Sequence, residues 1–225
     1  MNANADPLFT PDSVAQDNGS DAHGKLPEAG VRKRPKPGER RVQILQTLAA
    51  MLEQPGLERV TTAALAARMG VSEAALYRHF ASKAQMFEGL IEFIEHSVFS
   101  LVHQLGEREP NAVVRCRKLV TLLLQFGEKN PGMARVMVGD ALVFENERLQ
   151  QRMNLFFDKI EAALRQALRE GAAQAGSATP TVDAQCTASV VTALCVGRLQ
   201  RYARSGFKRL PSESLEHSLA LLLPH

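Results

Sequence analysis

The chain has 225 residues (24.6 kDa), 45% of them apolar and 23% charged, with no Trp and a formal net charge of +3. That is enough for one substantial domain or two small ones around a buried core, and it excludes a collagen, a coiled-coil rod and a disulfide miniprotein. There is no run of about 18 apolar residues and no basic-then-apolar leader, so neither a membrane span nor a secretory signal is expected and the reading is cytoplasmic. Three cysteines, Cys116, Cys186 and Cys195, are odd in number and widely spaced in apolar helical contexts, which predicts buried thiols.

The charge is unevenly distributed. Residues 1–30 hold one Lys against five Asp and Glu (−4), residues 31–90 hold ten basic against five acidic residues (+5), and the rest carries +2. Pro, Gly, Asp, Asn and Ser are scattered through residues 1–38 without periodicity, which predicts a disordered tail. The tail ends in a basic arm of Arg32, Lys33, Arg34, Lys36, Arg40 and Arg41, whose start is kept from helix by Pro35, Pro37 and Gly38. Such an arm is either a solvated linker or a phosphate-neutralising segment.

Beyond the tail nearly every segment repeats at helical spacing. Val42, Leu45, Leu48, Ala49 and Leu52 form a first stripe, closed by Pro55 and Gly56. A second helix is expected from Thr62 to Met69 and ends at Gly70. A third follows Ser72 as N-cap and turns Ala75, Leu76 and Phe80 inward. Ser82 and Gln85 form a capping box for a fourth, whose stripe runs from Met86 and Phe87 to Leu105.

Asn111 caps a fifth helix through about Gly127, and Asn130–Pro131 is an N-cap and N1 pair for the next. A long helix is expected from about Glu145 to Glu170, then a loop over residues 171–180. Two last helices follow, over about 182–205 and 212–222. No segment alternates at period two, so the fold class is all-α.

The segment TAALAARMGVSEAALYRHFA, residues 62–81, carries the main functional signal. A helix-turn-helix needs a small residue where its helices cross, here Ala66, and a residue tolerant of positive φ four positions later, here Gly70. Leu65, Met69, Val71 and Leu76 bracket them; the competing reading is an ordinary helical hairpin. In a helix-turn-helix the second of its helices faces the major groove. With Leu76 and Phe80 inward, Ser72, Glu73, Ala74, Tyr77, Arg78 and His79 remain for the duplex.

That face has few bidentate donors, so phosphate anchoring is expected from Thr61 or Thr62, Tyr77, His79, Lys83 and Arg40 in the arm. Thr62 could equally be a plain cap, Tyr77 a half-buried aromatic and His79 a solvated side chain. Glu73 would cap its own helix or accept from a cytosine amino group.

With TTAALAARMGVSEAALYRHFASKAQMF followed by an all-helical region, the chain resembles the TetR family of dimeric DNA-binding proteins. Through SKAQMFEGLIEFIEHS, FGEKNPG and ALVFENERLQQRMNLFFDKIEAALRQALRE it resembles, over about residues 40–222, the SlmA-type nucleoid occlusion factors within that family. The resemblance implies a TetR-like architecture: a three-helix DNA-binding unit over 39–84 and a helical dimerisation and partner-binding region over 85–225.

It also implies a homodimer on palindromic DNA at the nucleoid that, when DNA-bound, antagonises assembly of the tubulin-like division protein FtsZ and so prevents septation over the nucleoid. The FtsZ surface it implies is the groove between the fourth and fifth helices, with Phe93, Lys129 and Asn130. Phe93 falls off the main stripe of its helix, as an exposed aromatic would, although a core position on a wide stripe fits as well. Lys129 and Asn130 also read as a helix-end cation and a cap.

For the dimer surface the residues are Ala188, Val191, Ala193, Leu194, Val196 and Gly197, with Leu215, Leu219, Leu222 and Leu223 as a second set; an intrasubunit core explains the same periodicity. The alternative function is a transcriptional repressor released by a small hydrophobic ligand, in a cavity lined by Phe126, Phe144, Phe156 and Phe157. His96 and His103 lack metal-ligand spacing, Glu145 and Glu147 read as a solvated face, and no GxGxxG, P-loop, GxSxG or HExxH occurs. No metal, cofactor or enzymatic activity is therefore expected.

Overall fold

A computed structural model describes residues 38–54 and 59–223 of the chain. The expected tail and the arm residues Arg32 to Lys36 lie outside the described residues, as do Pro55 and Gly56. Among the described residues the chain is helical, without strands: α1 (Glu39–Leu52), α2 (Thr62–Met69), α3 (Glu73–Tyr77), α4 (Lys83–Arg108), α5 (Ala112–Lys129), α6 (Pro131–Met137), α7 (Glu147–Gln174), α8 (Pro180–Arg204) and α9 (Leu215–Leu222). A 3₁₀ turn, Asp140–Leu142, stands between α6 and α7.

The helix starts follow local chemistry. Thr61, Ser72, Ser82, Asn111 and Asn146 each accept a backbone N–H of the first turn of α2, α3, α4, α5 and α7. Gln85 completes its box one residue early, accepting from the Ala81 N–H at 2.8 Å. Asn130 departs from its expected role. It starts α6 without a side-chain cap, because its amide donates to the Phe126 carbonyl at 2.8 Å and closes the end of α5 instead.

Several boundaries differ from the sequence reading, among them the end of α5, which reaches Lys129, and the start of α8, at Pro180. α7 begins two residues later, after Asn146, and continues through Gly171 to Gln174. The helix tolerates Gly171 because the start of α5 passes close by: a Cβ there would sit 3.2 Å from the Ala112 methyl. α9 begins at Leu215, since Ser214 adopts φ 51° and cannot continue a helix from 212.

One core runs through the whole body of helices. Leu65, Leu76 and Phe80 from the first three helices join the same buried cluster as Met86, Phe87, Leu90 and Ile91 of α4, and that cluster extends to Phe156, Val191, Leu199 and Leu219. Each such side chain contributes about 1.5–3 kcal/mol of burial. α6 lies against α1 at Gly132, where any Cβ would collide with the Ala49 carbonyl oxygen.

α4 is tied to the start of α7 by Lys83–Glu145, Glu88–Arg148 and Glu95–Arg152. Hydrogen bonding to Glu95 raises the Arg152 pKa. α7 and α8 form a long hairpin, with Gln185 bridging Glu161 and Arg165. Cys116 and Cys195 are buried, and burial pushes their thiols up to about 11 and about 12, so they are inert. Cys186, expected to be buried, is exposed on the outer face of α8.

Candidate nucleic-acid interface

The head is built from two capped helix starts set side by side. Gly70, at φ 64°, ends α2 in a Schellman arrangement: its own N–H reaches the Ala67 carbonyl at 3.1 Å, and the Val71 N–H reaches Ala66 at 3.0 Å. The chain then turns directly into α3. Leu76 and Phe80 are each 1% exposed and fix the orientation of α3. Ser72, Glu73, Ala74, Tyr77, Arg78 and His79 all remain exposed, as the apolar pattern requires.

α3 is shorter than expected. It ends at Tyr77, and Arg78 and His79 lie in the turn beyond it. That turn is held by Arg41, whose guanidinium lies 4.2 Å over the Phe80 ring and donates to the His79 carbonyl at 3.1 Å. Arg41 therefore buttresses the turn after α3 as well as carrying charge. Arg40 stands on the first turn of α1 and donates to Gln43.

The threonines separate. Thr61 is the cap, its hydroxyl oxygen accepting from the Ala64 N–H at 3.1 Å, which leaves its own proton to donate. Thr62 donates its proton to Glu73 at 2.6 Å. Glu73 thus reaches back across the turn to α2, a contact the sequence reading missed because it joins residues eleven apart.

Lys83 is not a free phosphate anchor. Its ammonium pairs with Glu145, and the two side chains are only 17% and 8% exposed. The same contact removes Glu145 from the solvated face assigned to it.

A second feature lies on α4 and α5. A groove of about 500 Å³ is floored by Leu101, Leu122 and Phe126 and edged by Arg117, Thr121 and Lys129. A neighbouring hollow of about 350 Å³ shares Leu101, Lys118 and Leu122 and extends it toward the end of α4. Its polar edge was visible in the sequence as Arg117, Thr121, Gln125 and Lys129, spaced four apart on one helix face.

Lys118 donates to Glu109 at 2.6 Å, and this bond, with the Asn111 N–H, holds the Glu109 carboxyl below its usual range. Arg117 faces Glu216 of α9 at 3.8 Å. Lys129 and Asn130 stand at one end of the groove. Phe93 does not line it. It is half-buried and packed against the core, its ring 6.3 Å from that of Phe126.

Two other expectations are corrected. Val191, Leu215 and Leu219 are 0%, 5% and 0% exposed within the single chain, so they belong to the subunit core; Leu194 remains half-exposed. The free face of α8 keeps Ala193 and Gly197 of the expected set and adds Val182, Cys186 and Val190, and Leu221 of α9 is 87% exposed. The four phenylalanines do not line one cavity. Phe156 is fully buried against Phe99 and Phe157, Phe126 floors the groove, and Phe144 is 63% exposed beside Val143.

A capped helix-turn-helix on an all-helical body defines a TetR-type DNA-binding regulator, a class that reads DNA and carries out no catalysis. Residues 44–90 match the model for bacterial regulatory proteins of the tetR family, and residues 110–224 match that of a tetracyclin repressor-like C-terminal domain of SlmA-like type. The fold is similar to that of the TetR family regulator PfmR from Thermus thermophilus, with a TM-score of 0.66, 20% identity, and coverage of 81% of this chain and 95% of that one.

The nucleoid occlusion factor SlmA of Photobacterium profundum is 50% identical over 188 residues, 83% of this chain and 95% of that protein. That of Vibrio cholerae serotype O1 is 50% identical over 184 residues, 81% of this chain and 93% of that protein. The chain belongs to the TetR family and, within it, to the SlmA nucleoid occlusion factors.

Proposed function

We propose that this nucleoid occlusion factor binds palindromic DNA as a homodimer in the cytoplasm, at the nucleoid, and when DNA-bound inhibits FtsZ assembly. The functional division is a DNA-reading head over 39–84 and a dimerisation and partner-binding body over 85–225. The observation that carries the reading is the pairing, on one continuous core, of a capped reading head with an apolar groove edged by cations.

In the head, Thr61 and Ser72 both accept from backbone N–H groups and keep a proton for phosphate. Tyr77, Arg78 and His79 face the duplex, with Ala74 as an apolar contact. Arg40 adds charge from α1. The subunits meet through the free face of α8, where Ala193 and Gly197 allow close approach and Val182, Val190 and Leu194 supply apolar area, joined by Leu221 of α9. A two-fold there sets two reading helices about 34 Å apart, on successive major grooves.

In the groove, an FtsZ segment with apolar anchors would sit on Leu101, Leu122 and Phe126. Its acidic groups would replace the exposed Glu216 as partner of Arg117, at small cost because that carboxylate is solvent-screened, and would add to Glu109 beside the exposed Lys118 ammonium. Lys129 and Asn130 close the groove, and Phe93 supports its floor. DNA fixes the placement of the two subunits and lowers the conformational cost of engaging FtsZ. By linkage, FtsZ raises DNA affinity by the same factor.

The test is sedimentation of FtsZ polymer with this protein, with and without a palindromic duplex. Disassembly enhanced by the duplex is expected, and Leu101→Asp should abolish it while leaving DNA affinity intact. Polymer that is indifferent to the DNA-bound protein would refute the reading.

A further inference from the structure

We infer that Glu73 withholds the Thr62 hydroxyl proton from phosphate until the head is seated on its target, and so sets how strongly the protein discriminates target from unrelated DNA. This rests on the DNA-binding reading of the head. The Thr62 hydroxyl has one proton, and Glu73 accepts it at 2.6 Å, within the range of a charge-assisted O–H···O⁻ bond. While that bond stands, Thr62 offers a phosphate only lone pairs.

Folding does not require the pair. Both helices are already capped, α2 by Thr61 and α3 by Ser72, and Glu73 is solvent-exposed. Of the three hydroxyls at these two helix starts, Thr61 and Ser72 therefore have protons to offer and Thr62 does not. The carboxylate that holds it also stands among the residues that face the duplex, where it repels the backbone.

Complexes with unrelated DNA rest almost wholly on phosphate contacts, so a withheld donor and a fixed negative charge weaken them most. On the target, a base-edge amino group in register with Glu73 supplies a new donor to the carboxylate. Glu73 then exchanges Thr62 for the base, the repulsion is offset, and the freed Thr62 proton reaches a phosphate. The exchange conserves hydrogen bonds on the target and loses one elsewhere.

The test compares the full-length protein on two duplexes of equal length, one selected by the protein from a random pool and one scrambled. Glu73→Ala is expected to raise affinity for the scrambled duplex about tenfold, the scale of one charge-assisted contact. It should steepen the salt slope by about 0.9, one phosphate equivalent, and leave the selected duplex no tighter. Glu73→Gln, which keeps an acceptor but not the charge, should fall between.

Thr62→Val should leave wild-type affinity for the scrambled duplex within about twofold, yet undo much of the gain in the Glu73→Ala background. Equal gains on both duplexes would overturn the proposal, since Glu73 would then be a repulsive charge only. So would a Thr62→Val loss on scrambled DNA as large in wild type as in Glu73→Ala. A wild-type protein that shifts neither duplex would instead remove the DNA-binding reading itself. Thermal melting of each variant checks that the head is folded.

Discussion

α3 is five residues long and buries one side chain, Leu76, whereas α8 is 25 residues long and buries seven. The short helix presents nearly everything it has, and its position is set by neighbouring caps, by Gly70 and by Phe80. The long one divides its apolar residues between a face hidden in the subunit and a stripe left free. Function in the head thus follows from local chemistry. In the body it follows from which face of each helix the packing leaves uncovered.

Substitutions can break or sharpen this contrast. Phe80→Ala should cost about 3–5 kcal/mol and abolish DNA binding. Because Phe80 belongs to the common core, urea unfolding should stay a single transition; a separate early transition of the head would show two independent units. Val190→Asp should convert the dimer to folded monomers in sedimentation, whereas Val191→Ala should cost the subunit about 2 kcal/mol and leave association intact. The reverse pattern would exchange the inner and outer faces of α8.

Lys83→Met leaves Glu145 without its partner in a nearly buried position and should destabilise by about 1–3 kcal/mol. DNA affinity, measured by titration at fixed salt, should change less than twofold, and a large drop would restore Lys83 as a phosphate anchor. Tyr77→Ala should reduce DNA affinity at least tenfold, one to two contacts' worth, while melting shifts little, since the ring is 45% exposed. The smallest effect is expected from Asn111→Ala. Loss of that cap should lower stability by about 1 kcal/mol, leaving both DNA and FtsZ responses unchanged.

Much of the head was legible in the sequence because its determinants act over a few residues. Thr62–Met69 is the expected second helix, Ser72 caps the third, and Gly70 makes the turn. The failures in the head are long-range contacts: Lys83 meets a carboxylate 62 residues away, and Thr62 meets Glu73 across the turn. In the body, periodicity identified each apolar stripe but not its neighbour. Val191, Leu215 and Leu219 satisfy the pattern of a dimer surface and of a subunit core equally, and only their burial in the common core of the single chain decides for the core.

Composition, caps and helical period determined by themselves that the described part of this chain is all-helical, where most of its helices start, and that residues 62–81 form a helix-turn-helix. The tertiary structure decided which side of α8 is free, that Phe93 packs against the core beside Phe126, and which hydroxyls in the head keep a proton to give. Hydrogen bonds at a helix start are made within three or four residues, so they are written locally. A surface is whatever remains after distant elements have covered the rest.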